Sequence, residues 1–123
     1  MRSGVREPAV AGSFYPAAPK VVDAELARLL PEMPAAPARA VVVPHAGWMY
    51  SGAVAGETYA QVVVPRLAVL LGPNHTGLGV PGAVVSEGAW RYPGGSVPVA
   101  EQLARAIIEA ANEIGRASCR ERV

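Results

Sequence analysis

The chain has 123 residues, 51% of them hydrophobic, which is enough for one domain with its own core and too apolar for a disordered polymer. Its formal net charge is +1 with no basic cluster in the body of the chain, which argues against nucleic acid as a main partner. No apolar run is long enough to span a bilayer, the first 16 residues lack the continuous apolar stretch of a signal peptide, and the single cysteine, Cys119, excludes an internal disulfide. A cytoplasmic protein without membrane contact is therefore expected.

Residues 6–16 (REPAVAGSFYP) are too short and too punctuated for a helix, and Gly12 is expected to turn the chain there. Phe14 and Tyr15 read as core or cover, with the wall of a pocket as the alternative. Residues 20–33 predict a first helix. Val22, Leu26, Leu29 and Leu30 share a 3.6-period stripe, and Pro31 and Pro34 stop it.

Residues 38–43 then form an aliphatic run without polar alternation, as in a parallel strand covered on both faces, and Pro44 ends it. His45, Ala46 and Gly47 make the turn, and Ser51 is the expected N-cap of a helix over residues 52–61. Glycines at 52 and 56 make that helix weak in isolation, so packing must hold it.

Residues 67–71 repeat the pattern as a second strand, followed by Gly72, Pro73, Asn74 and His75 and a glycine-rich loop over 76–81. A short third strand is expected at 83–86, and residues 90–95 read as a loop or irregular β element. Pro98 near a first turn, with Leu103, Ala106, Ile107 and Ala110, predicts an amphipathic helix. No strand is expected beyond it.

The order strand–helix–strand implies an α/β fold, three-layered, with a mostly parallel sheet and helices on both faces. Residues 1–112 read as the N-terminal part of a single domain. Residues 113–123 read as a non-native tail, since 114–123 (IGRASCRERV) lack apolar periodicity and resemble translated sequencing adapter. The sheet would then end with an unprotected edge and uncovered apolar surface.

The chemistry concentrates in the two histidine turns. In open α/β sheets ligands bind beyond the carboxyl ends of strands, and His45 and His75 stand at two such ends. One histidine in such a place is commonly structural. Two, each after Pro or Pro-Asn and near glycine, point instead to metal ligation or acid/base work. Imidazoles suit Fe, Cu, Zn or Ni, but two ligands do not close a site.

Glu57 and Glu87 lack ligand-like spacing, and Cys119 lies in the suspect tail. Tyr50 is a candidate pocket residue that could donate to a bound oxygen, or could simply pack. Asn74 could touch a ligand, orient His75 or stabilise its own turn. Ser51 paired with a histidine lacks both a G-x-S-x-G elbow and a positioned acid, so a serine nucleophile is disfavoured.

Three ordered motifs carry a resemblance: REPAVAGSFYP at 6–16, VPHAG at 43–47 with YSG at 50–52, and LGPNHTG at 71–77. On these the chain resembles the Memo family, known in prokaryotes as AmmeMemoRadiSam system protein B. That family is similar in fold to class III extradiol (LigB-type) non-haem iron dioxygenases. The resemblance spans residues 6–112, the N-terminal portion of a protein usually well over twice that length.

It implies that His45 and His75 are two of three vestibule residues aligned with dioxygenase iron ligands. The third, a cysteine in the human protein, would come from a distal part of the chain. It further implies Fe or Cu (or Zn) as the metal of the full-length protein, a small-molecule or peptide ligand, and pathway association with radical-SAM and AMMECR-type proteins. The element after Trp90 departs from the family pattern at Tyr92 and at Gly94 and Gly95. Two functions stay open: a metal or ligand site of dioxygenase type with metal-dependent redox chemistry, and a non-catalytic module that binds a peptide or anionic ligand in the same cleft.

Overall fold

A computed structural model of the chain describes residues 4–77, 80–111 and 114–116. Residues 78 and 79 of the glycine-rich loop, residues 112 and 113, and residues 117–123 with Cys119 lie outside them. The chain divides into two compact units, Val10–Ala68 and Met1–Ala9 with Val69–Val123. No described helix is long and apolar enough to cross a membrane.

The Val10–Ala68 unit is a helix pair. α1, Pro19–Leu29, starts with proline in its first turn and buries Val22 and Leu29, seven residues or two turns apart. It ends four residues before the expected Met33. Leu30 precedes Pro31, whose ring disfavours helical dihedrals in its neighbour, and Leu30 sits in extended backbone at φ −103°, ψ 91°.

α2, Trp48–Ala60, packs on α1. A Cβ on Gly52 would lie 3.0 Å from Leu29 Cδ1, and a Cβ on Gly56 would run into the Leu29 carbonyl. The glycines therefore allow the backbones to approach, and this close packing holds a helix of poor intrinsic propensity.

α2 also begins earlier than expected. Gly47, not Ser51, is its N-cap, and the Trp48 N–H donates to the Phe14 carbonyl at 2.8 Å. An orphan donor of the first turn is thus satisfied by a distant part of the unit, which lets the helix start one turn sooner. Residues 10–15 form the turn that presents this carbonyl, closed by the Gly12 N–H donating to Tyr15 O at 2.7 Å and Phe14 N–H to Val10 O at 2.9 Å.

The other unit carries the sheets. β1 (Val5–Arg6) lies parallel to β3 (Ala89–Tyr92), and β3 lies antiparallel to β4 (Gly95–Pro98). β2 (Gly82–Val84) lies parallel to β5 (Ile114–Arg116), and α3 (Glu101–Ala110) lies against β5. The α/β class holds, with a mixed strand arrangement among the described residues, two pairings parallel and one antiparallel.

The segment expected to be irregular at 90–95 is a hairpin. Tyr92 pairs with Gly95 across Pro93 and Gly94, and Gly94 takes φ +108°. Proline followed by a positive-φ glycine is the composition of a type II turn. On the same sheet the Arg6 guanidinium stacks over the Trp90 ring at 4.7 Å.

Five further expectations need correction. Residues 38–43 and 67–71 form no ladder among the described residues; the nearest backbone pairing is the isolated Ala36–Val62 bridge. Val42 is 95% exposed and Leu71 94%. An aliphatic run becomes a strand only when neighbours take its N–H and C=O groups and cover its side chains, and these runs have neither here.

A strand does follow the last helix, β5, because α3 returns the chain alongside β2. α3 itself starts at Glu101, since Pro98 is spent in β4 opposite Ala89. Its covered face runs through Leu103, Ala104, Ile107 and Ile108, while Ala106 and Ala110 stay exposed.

Candidate functional site

His45 is placed by its neighbours on both sides. Pro44 before it has a fixed φ, and the Ala46 carbonyl after it accepts a hydrogen bond of 2.8 Å from the Ser51 hydroxyl. Ser51 is buried, and its hydroxyl also reaches the Gly47 carbonyl at 3.5 Å. Gly47 is itself buried beneath the Phe14 backbone. The side chain expected to cap α2 from outside therefore works from within it, tying the first turn back to the histidine turn.

A cavity of about 330 Å³ opens beside this turn. Phe14, Tyr15, Trp48 and Tyr59 form aromatic walls, and Leu29, His45 and Ser51 also line the cavity. The Tyr15 and Trp48 rings stand 5.7 Å apart, tilted by 36°, within the range of favourable aromatic contact. The volume falls at the lower end for small-molecule sites. Phe14 and Tyr15 thus serve as pocket walls, the alternative of the two readings.

Trp48, Tyr59 and Leu29 were not anticipated as walls. Trp48 had a local signal, an aromatic directly after the histidine turn. Tyr59 and Leu29 had none, because their place depends on the packing of α1 against α2.

Tyr50 lies in the first turn of α2, is 81% exposed and is not a wall of this cavity. His75 and Asn74 belong to the other unit, in an exposed loop. There the Asn74 side-chain oxygen accepts from the Thr76 N–H at 3.1 Å, the Thr76 hydroxyl at 3.1 Å and the Gly77 N–H at 3.0 Å. Asn74 therefore stabilises its own turn, and its side-chain oxygen is engaged there.

Glu57 is exposed on α2 and Glu87 is exposed before β3. Among the described residues no three His, Cys, Asp or Glu side chains converge into a metal-binding group. As donors, two imidazoles fit a borderline metal such as Fe, Cu or Zn and leave the set incomplete.

A profile described as Memo-like protein matches residues 6–119. The chain belongs to the Memo-like family. It is 46% identical to a MEMO1 family protein of Aquifex aeolicus over 109 residues, covering 85% of this chain and 40% of that one. It is 43% identical over 121 residues to a MEMO1 family protein of Methanopyrus kandleri, covering 84% of this chain and 41% of the relative. With a MEMO1 family protein of Pyrococcus furiosus the identity is 42% over 116 residues, covering 85% and 38%. The chain spans about two fifths of the length of these curated relatives. Every motif on which the resemblance rests falls inside the matched residues.

Proposed function

We propose that this Memo-family chain supplies His45 and His75 to a metal or ligand site whose remaining donor comes from elsewhere in the whole protein. The observation that carries this reading is the setting of His45: an imidazole between a proline and a clamped carbonyl, at the rim of an aromatic cavity. An imidazole in this position is a competent ligand for Fe, Cu or Zn, and a bound metal would supply Lewis-acid or redox chemistry there.

The three-layer, LigB-type arrangement belongs to the same proposal. Residues 38–43 and 67–71 would be its central strands, and the exposure of Val42 and Leu71 supports surfaces that await cover.

Metal analysis of the full-length protein tests the reading. About one Fe, Cu or Zn per chain is expected, lost in His45→Ala and in His75→Ala. Metal content unchanged by either substitution would sink it. The second reading is a non-catalytic module binding a peptide or anionic ligand; the cavity's aromatic walls suit a peptide side chain, and this reading predicts ligand retention without metal.

A further inference from the structure

We infer that Ser51 is a positioning residue for His45, acting through the Ala46 carbonyl. Its consequence for metal affinity rests on the proposed site; the inference about orientation does not.

The His45 turn is restrained on its helix side. Pro44 fixes its own φ, so the backbone entering His45 is restricted. On the far side Trp48 N–H is held by the Phe14 carbonyl and Gly47 is buried against that same backbone. Between the proline and this anchored helix start lie the two peptide units that follow His45. The Ser51 hydroxyl takes the Ala46 carbonyl at 2.8 Å and thereby sets the orientation of the peptide joining Ala46 to Gly47.

Among the described residues Ser51 is the buried polar side chain of the molecule. A hydroxyl in that environment is costly unless it is bonded, and its partner here is the carbonyl of Ala46, the residue after the histidine. A helix cap, its expected role, would have bonded forward to a backbone N–H; this hydroxyl bonds backward. It is also committed as a donor, which suits a structural clamp better than a nucleophile.

The same logic governs second-layer groups at metal sites, which orient a ligand without touching the metal and whose loss typically weakens binding roughly 10- to 100-fold. Ser51 differs in working on the backbone of the residue after the ligand and not on the ligand's ring.

The test uses the full-length protein with Ser51→Ala and Ser51→Thr. Imidazole proton and nitrogen resonances of His45 and His75 are recorded by NMR, Zn²⁺ affinity by calorimetry, and the unfolding midpoint as a control for fold. In folded Ser51→Ala the His45 resonances are expected to move beyond their linewidth while those of His75 stay in place. Zn²⁺ affinity is expected to fall roughly tenfold or more. Ser51→Thr, which keeps the hydroxyl, should restore both.

His45 resonances that coincide with the parent's in a folded Ser51→Ala protein overturn the inference. So does equal displacement in the alanine and threonine variants. If Ser51→Ala does not fold, Ser51→Cys is read by the same criterion, since a thiol is a weaker donor: displacement supports the clamp, and coincidence with the parent overturns it. Zn²⁺ binding insensitive even to His45→Ala would defeat the metal reading alone, leaving the His45 resonances to judge Ser51.

Discussion

His45 and His75 follow the same local pattern, an aliphatic run broken by proline and then a histidine near glycine, yet their turns are held by different means. The His45 turn is anchored by tertiary structure. α2 starts from it, α1 packs on α2 through Leu29, the Phe14 carbonyl takes the Trp48 N–H, and buried Ser51 ties the turn inward. The His75 turn carries a local anchor, one asparagine oxygen accepting three hydrogen bonds from the two residues after the histidine. The first arrangement should be as stable as the helix pair that supports it. The second should persist or fail on its own, with little effect on the rest of the fold.

Leu29→Ala should produce the largest difference between them. Leu29 is buried and fills the space beside Gly52 and Gly56, so truncation is expected to cost about 3 kcal/mol, read from urea unfolding of the full-length protein. The His45 resonances should move with it, while the Thr76 and Gly77 amides keep their exchange protection. A cost well under about 1 kcal/mol would show that the helix seam is not the anchor.

Gly56→Ala should act next, at about 2 kcal/mol, because the new methyl meets the Leu29 carbonyl and α1 and α2 must separate. An unchanged unfolding midpoint would contradict the close approach. Asn74→Ala should have the smallest global effect, about 1 kcal/mol or less, since its bonds are exposed to water. Its signature is local: faster amide exchange at Thr76 and Gly77 and displaced His75 resonances, with His45 unmoved. Asn74→Asp, which keeps the acceptor, should retain most of that protection. If Asn74→Ala shifted both histidines equally, the contrast between the turns would fail.

Much of this protein was legible along the chain. Helices α1 and α3 announced themselves by apolar residues on one face, and the two histidine turns by proline and glycine around each ring. Element ends were less legible where the deciding partner was not local. α2 begins at Trp48 and not beyond Ser51 because a carbonyl more than thirty residues earlier receives its first N–H. α1 stops short for a local reason, the steric demand of Pro31 on Leu30. The hairpin at Tyr92 and Gly95 was hidden because its strands are short and lack alternation, and only the Pro-Gly pair marks the turn.

By itself, then, the sequence determined the family, the helices and the identity of the two imidazoles, since these depend on motifs and on periodicities of a few residues. Tertiary structure decided the rest. Whether the aliphatic runs at 38–43 and 67–71 form strands depends on backbone partners and apolar cover, which no property of the runs can supply. The cavity beside His45 exists because two helices approach through glycine and bring Leu29 and Tyr59 to it. Ser51 became an inward clamp in place of a cap because α2 had already found its first partner at Phe14.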